Sequence, residues 1–168
     1  LYIVIVVFTS RAQAGKSGKQ NEMLFRLRQA GHDLVEAVKD IKHLQKNLVR
    51  YLASPNDDIR QAYNKIRRQL AEVLREVVEL ENSDDMELAT LSLDGVKVAI
   101  EEHDILVNGD LDRLIRAQRI SAEAATSLMN DSAYAYDVAA NLVAMAQVVF
   151  LPAEDDLRNI ENEILLNQ

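Results

Sequence analysis

The chain has 168 residues, 48% of them hydrophobic and 27% charged, with 5% aromatics, five glycines and two prolines. A chain of this length suits one domain burying about 70% of its unfolded surface, and so few turn formers favour helices over a strand-and-turn fold. The absence of cysteine removes disulfides, zinc-thiolate sites, iron-sulfur clusters and cysteine nucleophiles, while a net charge of -8 argues against nucleic-acid binding. Charge is unevenly spread: residues 1–80 hold 14 basic against 9 acidic side chains, and residues 81–168 hold 5 against 18. Such asymmetry suits either the uneven solvated faces of one bundle or orientation beside an anionic surface or partner.

Residues 1–19 read as an apolar segment and linker ahead of a helical domain over 20–168. Leu1 to Phe8 is a run of eight apolar residues, against the roughly 20 that span a bilayer, and it lacks the basic start of a signal peptide. It fits the trailing end of a membrane segment flanked by Arg11, Lys16 and Lys19, or a short strand. The strand alternative draws attention to Ser10–Ser17, SRAQAGKS, which is one residue from a P-loop. Ser10 replaces the first glycine, which the tight path around phosphates requires. No later alternation of strands and helices supplies the parallel sheet, so nucleotide binding through Lys16 and Ser17 stands as an alternative to a flexible linker.

From about Asn21 the spacing predicts a helix to about Ala53, with Leu27, Leu34, Val38, Ile41, Leu48 and Leu52 facing inward. Ser54-Pro55-Asn56-Asp57 predicts an N-cap and first turn. The next helix carries the most regular seam, Ile59, Tyr63, Ile66, Leu70, Val73, Val77 and Leu80. Asn82 to Asp85 caps a third helix with Leu93, Val96, Ile100 and Val107 on one stripe, Asn108-Gly109 predicts a break, and a short helix follows around Leu111 to Ala117. Ser121 to Glu123 begins the longest pattern, which reaches Phe150 before Pro152 ends it. Its predicted apolar arc holds Ala135, Val138, Leu142, Met145 and Val149, widened by Ala125, Met129, Ala133, Ala140 and Val143. Ala153 to Leu166 predicts a last acidic helix with Leu157, Ile160 and Ile164 inward. The fold class is therefore all-α, an antiparallel bundle of about five or six helices.

Three constellations carry chemistry-bearing residues. His32, Glu36, Asp40 and His43, spaced by four, four and three, share a stripe of about 80° on a helix and could hold a divalent or ferric ion as carboxylate sites in bundles do. The structural alternative is a solvated face of i,i+4 pairs. A polar ribbon on the long helix, Glu123, Thr126, Ser127, Asn130, Tyr134, Asp137 and Asn141 with Asp131 beside it, offers ligands, a buried hydrogen-bonded network or plain exposure. His103 among Glu101, Glu102 and Asp104 reads as a histidine with one partner rather than a ligand. No nucleophile motif appears, so no catalytic residue is assigned and the chain is expected not to be an enzyme.

At Asp33–Tyr51, DLVEAVKDIKHLQKNLVRY, and again at Leu111–Val143, whose core is ATSLMNDSAYAY, the chain resembles the C-terminal cytoplasmic region of bacterial sodium/phosphate cotransporters, itself similar to PhoU, the regulator of phosphate uptake. The resemblance covers about residues 21–150. It implies a PhoU-like bundle that regulates a sodium-dependent phosphate carrier at the cytoplasmic face of the inner membrane without catalysing a reaction. The implied partners are the membrane-embedded transporter region and a second copy as a homodimer, with no nucleic acid. Members carry Glu/Asp-x-x-x-Asp motifs on helices of two repeats and bind iron or zinc clusters through them. Glu36–Asp40 matches that motif, whereas Asp137–Asn141 ends in a weaker, neutral amide ligand. The candidate metal set joins Glu36, Asp40, Asp137 and Asn141 from these motifs to His32 and His43 from the spacing on the first helix, with Asn130, Asp131 and Tyr134 as candidate interaction residues. A stand-alone metal-binding bundle remains the alternative, after it the P-loop protein.

Overall fold

A computed structural model describes residues 18–83, 85–103 and 109–151, along with Val7. The P-loop-like Ser10–Ser17, the side chain of His103, Val107, Asn108, Pro152 and the acidic segment Ala153–Leu166 lie outside the described residues. Five helices follow in order: α1 Gly18–Leu52, α2 Asp57–Glu81, α3 Met86–His103, α4 Asp110–Arg116 and α5 Ala122–Phe150. No strand occurs among the described residues, and the fold is an all-α bundle.

The helix starts follow from capping chemistry. α2 begins two residues later than its Ser-Pro sequence suggests, because the N-cap is Asn56, whose Oδ1 accepts from the backbone of Asp58 at 3.0 Å and Ile59 at 3.2 Å. An amide caps as well as a hydroxyl and has donors to spare: Asn56 Nδ2 reaches the carbonyl of Arg119 at 2.8 Å, tying the start of α2 to the α4–α5 connection. Asp85 accepts from the backbone of Leu88 at 3.0 Å at the head of α3, and Ser121 from Ala124 at 3.1 Å at the head of α5. Gly109 precedes α4 with φ of 74°, a left-handed value that glycine adopts without steric cost. α4 ends in a Schellman turn, with Gln118 N–H donating to Ile115 and Arg119 N–H to Leu114, both at 3.0 Å. The left-handed position is filled by Gln118, with φ of 54°.

α5 lies at the centre and touches every other helix, α1 most extensively. It is also long and apolar enough to cross a membrane, yet it carries a buried carboxylate, Asp131. Two cores are stacked along it. The first joins Leu44, Tyr51, Ile59, Tyr63, Ile66, Leu111 and Leu128; the second joins Ala37, Val73, Leu80, Leu93, Ile100, Val138, Leu142 and Val143. The predicted seam of α2 is borne out, with five of its residues buried and Leu70 and Val77 half-buried.

α1 differs from the expectation. Its buried residues are Ala30, Asp33, Ala37, Leu44 and Tyr51, whereas Leu27, Leu34, Val38 and Ile41 are 43%, 46%, 47% and 43% exposed. The buried seam is rotated by about 80° from the apolar one. Small residues explain the choice: Ala30 and Ala37 let α1 and α5 approach closely. On α5, Met129, Ala133 and Val149 are exposed rather than inward, because α1 sits on the side that carries the polar ribbon.

Candidate functional site

α1 and α5 run antiparallel, and their contact is lined by polar side chains. Arg50 Nη1 donates to Glu123 Oε1 at 2.8 Å, the Tyr51 hydroxyl donates to Ser127 Oγ at 3.3 Å, and the His43 ring stacks on Tyr134 with centroids 5.0 Å apart. At the centre, the Tyr63 hydroxyl of α2 donates to Asp131 Oδ2 at 2.5 Å, both groups buried, and Asn47 supplies a second hydrogen bond to the same carboxylate. The Tyr51 and Tyr63 rings stack at 4.8 Å. Burial pushes the Asp131 pKa up, against the pull of its two hydrogen bonds. Burial, and then the hydrogen bond to Asp131, raise the Tyr63 phenol well beyond its usual range. This is a donor-satisfied network joining three helices, of the kind that fixes one packing arrangement.

The residues predicted as metal ligands share the α1–α5 side of the bundle without forming one site. His32 Nδ1 lies 3.6 Å from Asp33 and Nε2 3.8 Å from Glu36. Glu36 accepts from Lys39 Nζ at 2.6 Å, which, ahead of all other influences, lowers its pKa. His43 is taken up by Tyr134. Burial, the charge of Asp137 and that of Glu36 raise the pKa of Asp40, so Asp40 on α1 is repelled by the Asp137 charge on α5. Asp137 is exposed and Asn141 half-buried. Among the described residues no three His, Cys, Asp or Glu side chains are grouped as a metal ion requires, and this donor set does not fit a resident metal cluster. Of the interaction residues, Asn130 is exposed, Tyr134 half-buried and Asp131 interior.

Sequence reasoning missed Asp33, buried on α1 and bonded by Gln29 Nε2 at 2.8 Å, and missed the partnership of Asn47 with Asp131. A signal was present: Asp33, Asp40 and Asn47 recur every seven residues, beside the small-to-aromatic repeat Ala30, Ala37, Leu44 and Tyr51. That is a two-track heptad with one polar track. A groove of about 650 Å³ between α2 and α4 also escaped notice. Two of its cations are paired within it, since Asp110 pairs with Lys65 at 2.9 Å and Arg113 at 2.6 Å, and the Lys65 hydrogen bond is the foremost cause of the lowered Asp110 pKa.

No family model matches the chain, and neither a curated protein nor a solved structure matches it significantly.

Proposed function

We propose that the chain is a regulatory domain of a sodium-dependent phosphate transport system that works by helix-mediated contact with the membrane-embedded carrier. The reading rests on the sequence resemblance, and one structural observation supports a contact role: the outer face of α3. Leu93 and Ile100 commit one side of this helix to the core, while Leu88, Leu91 and Val98, on the opposite side, are 63%, 63% and 54% exposed. Gly95 lies on that outer side with open space where a Cβ would sit, so a partner helix can approach closely. An apolar stripe of this kind on a helix already anchored by its other face is a contact surface in search of a partner.

The polar residues within the resembling block play a different part. Asp131 and Tyr134 hold α5 to α1 and α2, so the block preserves the bundle while α3 meets the partner. The test is sodium-driven phosphate uptake into vesicles that contain the carrier and this chain. Leu91→Glu with Val98→Glu should abolish the chain's effect on uptake and its retention on the carrier, with helicity unchanged. Uptake and retention equal to the parent chain would overturn the reading.

A further inference from the structure

The α1–α2 pair turns a charge-segregated face to solvent. On α1, Leu27, Leu34, Val38 and Ile41 are exposed and share an arc of about 60°. All four carboxylates of the helix, Glu22, Asp33, Glu36 and Asp40, fall within another arc of about 60°, centred about 140° away. Arg50, His43 and Asn47, which reach α5, lie on the carboxylate side. The apolar stripe lies on the other side of Tyr51, which stacks on Tyr63 of α2.

α2 continues this surface. Gln69 and Glu76 meet Ile100 and Ser92 of α3, so Arg67, Leu74 and Val78, about 170° further round the helix, point away from α3. All three are exposed and lie within about 60° of Tyr63, beside α1. Cations edge the apolar ground on both helices. Lys42 and Lys46 stand about 70° and 110° from the centre of the α1 stripe, Arg67 and Arg75 lie on α2, and all four are exposed. No carboxylate interrupts the outward arc of α2 between Arg60 and Val78. A chain of net charge -8 thus keeps one face basic and aliphatic.

An occupant of this face must be anionic at its surface and accept aliphatic side chains just beneath. A bilayer rich in acidic headgroups has that layering. Single-stranded nucleic acid is bound through aromatic stacking platforms, and neither helix presents a ring here. A second copy, in either two-fold arrangement of the helix pair, would set one basic edge against another, and like charges so placed oppose association.

We propose that the α1–α2 face docks on the surface of an anionic lipid bilayer, with Leu34, Val38 and Leu74 at the headgroup boundary and Lys42, Lys46 and Arg67 on the lipid phosphates. This contact is separate from the one assigned to α3, and vesicles that contain no carrier test it.

The native chain contains no cysteine, so a single engineered thiol reports one place. In the full chain, acrylodan on Gln45→Cys, exposed in line with the stripe, should shift to the blue with vesicles of equal parts phosphatidylglycerol and phosphatidylcholine. The same dye on Met129→Cys, exposed on α5, should not. Lys42→Gln with Lys46→Gln should weaken the Gln45→Cys response about 25-fold, at about fivefold per cation, and added salt should weaken it further. Leu34→Gln with Val38→Gln should weaken it too, whereas Leu91→Gln with Val98→Gln on α3 should leave it unchanged. No shift at Gln45→Cys, an equal shift at Met129→Cys, or full binding after loss of both lysines would each overturn the proposal. So would a shift that grows with protein concentration without vesicles, which would give the face to a second copy, or an equal shift with DNA, which would give it to nucleic acid.

Discussion

The two cores along α5 are built on different principles. Around Tyr63 the helices are tied by directional bonds: Tyr63 and Asn47 to Asp131, Tyr51 to Ser127, Asn56 to the Arg119 carbonyl, and Arg119 to Asp58 at 2.8 and 3.2 Å. Around Leu93 the buried contacts are aliphatic, with Ser92 donating to Glu76 and Gln69 to the Ile100 carbonyl only at the half-buried margin between α2 and α3, and the buried carboxylate one turn before Ala37, Asp33, is bonded by Gln29 on its own helix. A network between helices rejects a slipped register, because a slip strands buried polar atoms. Alanine, valine and leucine surfaces tolerate small slips far better. The first end of the bundle therefore specifies how α1, α2 and α5 align, and the second supplies burial, leaving the apolar stripe of α1 and the outer face of α3 open.

Truncation at the aliphatic end should give the largest loss. Leu93 is fully buried, and Leu93→Ala should cost about 3 kcal/mol in denaturant unfolding, with the slope of the transition unchanged if the alignment of the helices is held elsewhere. A lowered slope would break the comparison by showing that this end also sets alignment. At the bonded end, Tyr63→Phe removes one hydroxyl and should cost about 2 kcal/mol, since a buried carboxylate loses a donor.

Its pH dependence carries the sharper information. The pKa of Asp131 is raised in the folded chain, so the folded state retains a proton that the unfolded state has released. This part of the stability is present at low pH and declines as pH rises from about 4, the usual unfolded value, through the folded pKa. With one donor fewer, the Tyr63→Phe variant should decline more steeply and further. Parallel pH profiles for parent and variant would show that Asp131 does not depend on Tyr63.

How much of this could be read from the sequence depended on whether one side chain's choice was made locally. Helix existence was legible because the apolar period is a local property, and the α2 seam was right because Ile59, Tyr63, Ile66 and Val73 leave that helix one large apolar face. α1 offered two faces, and size misled: Leu27, Leu34, Val38 and Ile41 are larger than Ala30 and Ala37, yet close approach to α5 rewarded the small ones. The carboxylates were visible as candidates on α1 and α5. Their partners were not, because pairing Asp131 with Tyr63 and Asn47 joins residues 68 and 84 positions apart.

A smaller effect at the bonded end concerns the turn after α4. Gln118 occupies a left-handed position with φ of 54°, costing roughly 1 kcal/mol relative to glycine. Gln118→Gly should therefore raise stability by about 0.5 to 1 kcal/mol in thermal or denaturant unfolding, because it relaxes the strain while making the unfolded chain more flexible. A loss would mean that the Gln118 side chain contributes to the junction with α2.

The smallest effect lies at the boundary between the two ends, where the Asp137 charge on α5 repels Asp40 on α1. The raised Asp40 pKa follows from burial first and then from Asp137 and Glu36, so ionising Asp40 works against the fold. Asp40→Asn should gain a few tenths of a kcal/mol at pH 7, the scale of a like-charge pair on neighbouring helical positions. The gain should shrink as pH falls and vanish below about pH 3, where the carboxyl is protonated in both states. Asp137→Asn alone should give a smaller gain, because it removes the repulsion but leaves the burial of Asp40, and the double variant should give less than the two together, since each removes the same repulsion. A loss of stability in Asp40→Asn that chelator treatment of the parent chain reproduces would reverse the argument: the two carboxylates would then be held together by a bound cation, and this boundary, rather than the tyrosine network, would be what aligns α1 with α5.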